Sequence, residues 1–389
     1  MIHHLAKTLE IVAILGCASS CLYYLLCLWS AVAFLRNRRA QTGAVRSDSL
    51  PGISILKPLK GVDPEIYESF RSHCLQDYPE YQIIFGVSDP EDPAVPSARQ
   101  LQQEFPKRDI QLIVCREKLG ANVKVSNLDQ MMSAVRYRYL IVNDSDIRVE
   151  PDYLRRVTAP LADPSVGMVT CLYRGVASPT TGSRLESLGI GTDFCAGVLA
   201  AQLLDRGIRF GLGSTLAFRH ADLNRLGGFV SLVDYLADDY ELGCRIADLG
   251  LKVLLSDAVV ETHLPAYDLR GFLSHQLRWA RGVRDSRLGG YIGLVTTFGL
   301  MWGLLTVVAA RGAAWAWAAL GTTLILRFAV AMTIGKSVLR DAQIPRLLWL
   351  LPVRDLIAVG VWIASFFGHT VTWRGDRFEL KAGRLTRLE

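Results

Sequence analysis

The triplet Asp144-Ser145-Asp146 places two carboxylates one residue apart, directly after the apolar run Tyr139-Leu140-Ile141-Val142 and before Ile147-Arg148-Val149. On a strand that continues to its carboxyl end, side chains i and i+2 share a face, so both acids would project from the rim of a sheet. Two hard oxygen ligands suit Mg2+ or Mn2+ held largely through a substrate's phosphates. A nucleoside diphosphate leaving group can be gripped that way. Such triplets are also common in surface turns, so the reading depends on what surrounds this one.

Five other groups accompany it. Ser88-Asp89-Pro90-Glu91-Asp92-Pro93 is a second acidic cluster after an apolar run. Gly120-Ala121-Asn122-Val123-Lys124-Val125-Ser126-Asn127 sets one lysine in a small polar loop before a helix, where it could neutralise a diphosphate as a point charge. Gly211-Leu212-Gly213-Ser214-Thr215 permits close backbone approach to a ligand, or is a plain turn. Leu236-Ala237-Asp238-Asp239-Tyr240-Glu241 brings consecutive acids into a helix, as partners for its dipole or as a general base for an acceptor hydroxyl. Further on, His275, Arg278 and Trp279 share one face at helical spacing within a strongly basic amphipathic segment. Its arginine could fork onto phosphate oxygens.

The elements that must position these groups alternate between strand-like and helix-like from about Pro51 to His263, which implies an α/β fold with a mostly parallel central sheet. Ile53 to Leu56 reads as a buried strand ended by Lys57-Pro58. Asp63-Pro64-Glu65 reads as an N-cap with proline at the first helical position. Further strands are expected at Tyr81–Val87, Ile110–Val114, Tyr139–Val142, Met168–Leu172 and Leu216–Phe218. Nucleotide sites in such folds lie at the carboxyl ends of strands, where Asp89/Asp92 and Asp144/Asp146 both fall.

The flanks are apolar. The uncharged run from Ile11 to Leu35 is long enough to cross a bilayer and ends in Arg36-Asn37-Arg38-Arg39, which reads as a signal anchor whose basic flank, and the region after it, face the cytoplasm. Tyr291–Ala310, Ala313–Gly335 and Leu347–Gly368 approach or reach spanning length. Arg327 and the pair Arg354-Asp355 lie at depths where charge normally faces protein. The tail, with Arg374, Arg377, Lys381, Arg384 and Arg387, is basic and favours the cytoplasm, so one of these apolar segments is expected to be re-entrant or interfacial. The eight cysteines show no CxxC spacing, which indicates neither a zinc site nor a disulfide framework. The net charge of +6 lies beside membrane segments, so anionic lipid explains it better than nucleic acid, for which no motif is present.

Taken in order, SILKPLKGVDP (Ser54–Pro64), DYP (Asp77–Pro79), SDPEDPA (Ser88–Ala94), GxNxKxxNL (Gly120–Leu128), DSDIRV (Asp144–Val149), LADDYELG (Leu236–Gly243), RW (Arg278–Trp279) and VTWRGDRFEL (Val371–Leu380) resemble the ceramide glucosyltransferase family. These are membrane members of the family 2-like inverting glycosyltransferases, and bacterial hopanoid-modifying glycosyltransferases resemble the same pattern. The resemblance runs from about residue 50 to the C-terminus. It implies a GT-A-like nucleotide-sugar-binding domain with N- and C-terminal transmembrane helices. The expected organisation is a signal anchor at 1–39, a cytoplasmic catalytic domain at 40–265, an interfacial helix at 266–290, transmembrane segments at 291–370 and a basic tail at 371–389, in a bacterial inner membrane.

The implied reaction is transfer of a hexosyl unit, glucose or N-acetylglucosamine, from a UDP-sugar to the hydroxyl of a membrane lipid, ceramide or a hopanoid, with inversion. Carried over, the family's three acids fall on Asp92, Asp144 and Asp239. Asp239 would be the base, Asp89 and Asp92 would help hold the nucleoside, and Lys124 the donor. Asp144 and Asp146 would bind Mg2+ or Mn2+, and Arg278 with Trp279 would complete the site. The Q/R-x-x-R-W motif departs at its first position, which is His275 here. A processive polysaccharide synthase shares the acids but would need more spans to line a channel. A transporter would bury its site among the spans, whereas these acidic clusters lie in the soluble middle.

Overall fold

The computed structural model describes residues 2–41, 50–205, 207–373 and 375–388. Arg374 of the basic tail, and residues 42–49 near the start of the expected catalytic region, lie outside the described residues. The chain opens with the long helix α1 (Ile2–Gln41) and then enters an eight-stranded sheet. Its strands are β1 (Ile53–Leu59), β2 (Tyr81–Val87), β3 (Asp109–Val114), β4 (Tyr139–Val142), β5 (Ile147–Arg148), β6 (Val166–Val176), β7 (Leu216–Arg219) and β8 (Lys252–His263), in the order β3-β2-β1-β4-β7-β6-β8-β5. The pairs β1/β2, β2/β3, β1/β4 and β6/β8 are parallel, while β4/β7, β6/β7 and β5/β8 are antiparallel.

Continuous apolar runs make β1, β2 and β4 buried on both faces, as central parallel strands require. Alternate residues then serve different layers. Ile53, Ile55, Ile83, Phe85 and Ile141 pack on one side, under α2 (Ile66–Cys74), α3 (Val95–Glu104) and α5 (Tyr153–Thr158). Leu56, Ile84, Leu140 and Val142 pack on the other, where α4 (Val123–Met131) and α9 (Asp238–Asp248) bring Val125, Leu128, Leu242 and Ile246. Between these helices in chain order come α6 (Thr181–Gly189), α7 (Cys195–Leu204) and α8 (His220–Arg225).

Two expectations at the start of the sheet need correction. β1 does not end at Lys57-Pro58 but runs on to Leu59. β4 pairs only with Ile53–Leu56, so beyond Leu56 the strand is hydrogen-bonded to β2 alone and tolerates a proline without an N–H. Nor does Asp63-Pro64-Glu65 start a helix. α2 begins at Ile66 after Glu65 in the left-handed region (φ 53°), and Asp63 instead accepts the hydroxyl of Ser145 at 2.5 Å.

After β8 come α10 (Leu269–Ser286), α11 (Leu288–Gly293), α12 (Gly299–Ala309), α13 (Ala314–Ala331), α14 (Ile344–Leu347) and α15 (Leu351–Ser365). Among the described residues four helices are long and apolar enough to cross a membrane: Ala6–Arg38, Thr181–Leu204, Ala314–Val338 and Ile344–Ser365. The expected span Tyr291–Ala310 is not one straight helix, since Leu288–Thr297 and Gly299–Ala309 meet at 53°. The helix Thr181–Leu204 escaped the sequence reading. It contains a π-turn at Ile190–Phe194 and is mostly buried against the sheet and α1.

Side-chain neighbours fix how these helices run. Gly16 meets Trp302 and Gly299 meets Tyr24, so α12 runs antiparallel to α1; Gly299 and Gly303 face Thr323 and Leu320, so α13 returns antiparallel to α12. Arg354 bonds Gln276 and Ser365 accepts from Arg284, so α15 lies along α10 in the same direction. The charges expected to face protein do so. Arg327 is buried and donates to Asp355 at 2.7 Å and to the Thr192 carbonyl at 3.1 Å.

The basic tail is folded. β9 (Thr370–Trp373), β10 (Asp376–Lys381) and β11 (Arg384–Arg387) form an antiparallel sheet around Val371, Phe378, Leu380 and Leu385. It is tied to the sheet domain by Leu236 N–H donating to the Gly383 carbonyl at 3.0 Å and by Leu385 N–H donating to that of Asp234 at 2.7 Å. The tail therefore lies on the same side as the carboxyl rim of the sheet.

Candidate active site

The loop after β4 does not continue as a strand, so the two acids of Asp144-Ser145-Asp146 are not a matched pair on one face. Buried Asn143 anchors it, donating to the Tyr153 hydroxyl at 2.9 Å and the Ser214 carbonyl at 2.6 Å. Asp144 points to the open side, 42% exposed, with Oδ1 2.8 Å from Lys124 Nζ. Asp146 turns toward β8 and accepts the hydroxyl of Thr262. Burial, then repulsion from Asp144, pushes Asp146 up to about 6.

Lys124 does not sit in a loop. Asn122 caps α4 by accepting from Val125 N–H at 3.2 Å, and Lys124 falls in the first helical turn. From there its ammonium reaches Asp144 and, at 3.2 Å, Asp238. Burial alone would lower its pKa, but Asp144, Asp238 and Asp239 together hold it well above the usual lysine value. Asp238 is more than a dipole partner: it is buried and also takes a hydrogen bond from Asn122 Nδ2 at 3.3 Å.

Asp239 opens toward the same space. Its Oδ2 accepts Gly213 N–H at 2.6 Å, its Oδ1 accepts Tyr240 N–H at 2.8 Å, and its carbonyl accepts Gly211 N–H at 3.2 Å. Gly213 is needed for this approach. A Cβ there would lie 2.9 Å from Asp144 Oδ2 and 3.2 Å from Asp239 Oδ2. The two carboxylates thus flank one point. Burial and the neighbouring Asp238 raise the pKa of Asp239, against the lowering pull of Lys124.

Asp89 and Asp92 stand on the adjacent loop after β2, and among the described residues neither hydrogen-bonds nor ion-pairs with this cluster. Asp89 is exposed and accepts Glu91 N–H at 2.9 Å; Asp92 accepts Gly61 N–H at 3.0 Å and Ala94 N–H at 2.9 Å. They shape the β1 and β2 rims, and Asp63 joins that rim to Ser145. An aromatic run leads in from α10. Trp279 packs on His275 (ring centroids 5.1 Å apart) and on Phe194 (6.1 Å), and Phe194 packs on Tyr173 of β6 (5.3 Å). Arg278 is near Tyr267, whose hydroxyl is pushed up to about 12 by burial and Glu186, against the pull of Arg278.

The sequence profile of glycosyl transferase family 21 matches residues 12–386. The chain belongs to that family. Ceramide glucosyltransferase 3 of Caenorhabditis elegans is 25% identical over 394 residues, covering 97% of this chain and 84% of the relative. Ceramide glucosyltransferase 1 of the same organism is 23% identical over 389 residues, covering 96% and 81%. A ceramide glucosyltransferase of Candida albicans is 32% identical over 116 residues, 27% of this chain and 21% of its own. Among solved structures, a mannosyltransferase from Pyrobaculum calidifontis in complex with GDP-Man and Mn2+ superposes with a TM-score of 0.53 at 20% identity, covering 92% of this chain and 99% of that one. The fold of this glycosyltransferase is GT-A-like.

Three of its site-lining residues escaped the sequence reading. Lys57 is fully buried at the end of β1 and donates to the Asp144 carbonyl at 3.0 Å, bracing the acid loop from beneath. Burial, against the pull of Asp146, Asp144 and Asp63, brings it down to about 7. A lysine inside an apolar strand was the available signal. Thr262 and Glu186 carried none, because their roles depend on β8 and α6 meeting the site from distant sequence.

Proposed function

We propose that this glycosyltransferase moves a hexosyl unit, glucose or N-acetylglucosamine, from a UDP-sugar to a membrane lipid hydroxyl with inversion, in the manner of ceramide glucosyltransferases. The catalytic domain would stand on the cytoplasmic face of a bacterial inner membrane. The observation that carries the reading is the approach of Asp144 and Asp239 across Gly213, with Lys124 within electrostatic reach of both and the aromatic run from α10 ending at Tyr173, which both carboxylates also influence. The relatives named ceramide glucosyltransferase support it, and a hopanoid hydroxyl offers the same acceptor chemistry.

The donor set fits a divalent cation. Asp144 meets Lys124 through Oδ1 and remains 42% exposed, and Asp146, although turned toward Thr262, supplies a second hard oxygen on the same loop. Among the described residues no group of three or more such side chains converges, so phosphate oxygens would complete the shell. Asp144 and Asp146 would hold Mg2+ or Mn2+, which when bound offsets the charge of the departing diphosphate. Lys124 would contribute a fixed positive charge to the donor, with Arg278 a second one. Asp89 and Asp92 would border the nucleoside. Asp239, its pKa raised by burial, would take the hydroxyl proton as the acceptor oxygen attacks the anomeric carbon. A single displacement on an α-linked donor gives a β-glycoside.

The test is expression in a host supplied with ceramide or with a hopanoid polyol, followed by lipid extraction and mass spectrometry. A new monohexosyl lipid is the expected product. A polysaccharide, or no glycosylated lipid with either acceptor, would contradict the reading.

A further inference from the structure

His275, the residue at which the family motif departs, is built into a hydrogen-bonded chain. Glu186 of α6 is fully buried and meets two consecutive residues of α10. His275 Nδ1 lies 3.1 Å from Glu186 Oε1, and Gln276 Nε2 donates to Oε2 at 2.9 Å. Arg354 Nη2 in turn donates to Gln276 Oε1 at 2.9 Å, which fixes the way the amide faces. A carboxylate only accepts, so His275 donates from Nδ1, and in the neutral ring this leaves a lone pair on Nε2. Nε2 has no hydrogen-bond partner among the described residues, and it is not sealed from solvent.

The ring is clamped as well as oriented. It stacks on Tyr267 at 5.4 Å and 24° and leans on Trp279 at 5.1 Å. Trp279 leads through Phe194 to Tyr173, whose hydroxyl is raised by burial and by the carboxylates of Asp239, Glu186 and Asp144. The imidazole therefore sits along the aromatic wall that borders the acid cluster. Leu269, Leu273 and Val283 of the same helix are exposed, as a lipid-facing edge would be. A buried carboxylate, an amide and an arginine are more than a packed histidine needs.

An attacking hydroxyl has one hydrogen, which goes to Asp239 as the oxygen–carbon bond forms and the diphosphate leaves with its bonding pair. What Nε2 accepts must be something else. We propose that His275 Nε2 receives a second polar hydrogen of the acceptor, an amide N–H or a hydroxyl next to the attacking oxygen. It thereby selects lipids with two neighbouring polar hydrogens over lipids with a lone hydroxyl. The proposal rests on the lipid-acceptor reading above and assigns the acceptor's chemical class.

The test uses the full-length protein in detergent with UDP-glucose or UDP-N-acetylglucosamine and three acceptors: a long-chain 2-amido-1-alcohol, its N-methyl amide, and a plain long-chain alcohol. The native protein should favour the N–H amide over both others by about tenfold or more in kcat/KM, mainly through KM, since the other two acceptors leave Nε2 without a hydrogen to accept. H275N keeps a donor where Nδ1 stands but lacks Nε2, and should erase the preference. H275Q places an amide oxygen near Nε2 and should restore part of it. Titration with UDP, followed by intrinsic fluorescence, should show that both variants are folded and bind nucleotide. Equal use of the N–H and N-methyl amides by the native protein, or an unchanged preference in H275N, would overturn the proposal. Transfer to none of the three would overturn the lipid-acceptor reading and this proposal with it.

Discussion

Two clusters of buried charge in this glycosyltransferase differ in how completely they are balanced. Beside α13, Arg327 and Arg354 face Asp193 and Asp355, two cations against two acids. Arg327 uses Nε and Nη2 on Asp355 at 2.9 and 2.7 Å, and Nη1 on the Thr192 carbonyl at 3.1 Å. At the carboxyl rim, Lys124 stands among three carboxylates, Asp144, Asp238 and Asp239, and Asp144 remains 42% exposed. A balanced cluster holds helices together, whereas an acid-rich one leaves carboxylate charge unmet, as the proposed binding of a cation and uptake of a proton would require.

The largest effect expected from this contrast is at Asp144. Asp144→Ala should reduce transfer below detection and abolish the Mn2+-bound signal measured by electron paramagnetic resonance, and excess chelator should silence the native enzyme. Full activity in excess chelator would remove the metal from the account. The balanced cluster should respond in stability instead. Arg327→Leu leaves Asp355 without its cation and should cost about 3–5 kcal/mol, seen as a fall in Tm in detergent. Replacing Asp355 by leucine as well should recover part of that loss.

Lys57→Met keeps the stem but removes the donor under the Asp144 carbonyl. A slackened loop should lower kcat by about ten- to hundredfold at nearly unchanged Tm. The pH profile should move more modestly. As the proposed base, Asp239 would have to be deprotonated, and its pKa is raised, so kcat should rise with pH along a limb displaced above the ordinary aspartate range. A limb at the usual aspartate value would count against burial of that carboxylate. The smallest effect is at the tail, where Asp376 stands 4.0 Å from exposed Lys60. Asp376→Asn should change stability by no more than about 0.5 kcal/mol in chemical denaturation.

Much of this contrast could be read from the sequence. Six of the eight strands of the central sheet announced themselves as apolar runs, while β5 and the long β8 did not; Asp144 stood at a strand end, Lys124 and Asp239 beside helix starts, and Arg278 and Trp279 on one helix face. The turn of Asp146 toward Thr262 was not legible, because it depends on the antiparallel pairing of β5 with β8 far along the chain. Glu186 was hidden for a similar reason. It lies in a helix whose apolar character was masked by Arg184, Glu186 and Asp193 in the stretch that begins it. The tail read as a basic stretch because β9 to β11 are short and mostly exposed on one face, with Val371, Phe378, Leu380 and Leu385 supplying the other. Lys57 and Asp63 were visible as residue types, but their partners on the loop after β4 were not.

The proposed mechanism has Asp239, and not the adjacent acid, take the acceptor's proton. Asp239→Asn and Asp238→Asn should be compared in one assay for kcat and for UDP-sugar affinity. Asp239→Asn should lose about 10² to 10⁴ in kcat with donor affinity retained. Asp238→Asn, which weakens the hold on Lys124, should lose less in kcat and more in donor affinity. An active Asp239→Asn beside a dead Asp238→Asn would contradict the account and move the base to the other carboxylate.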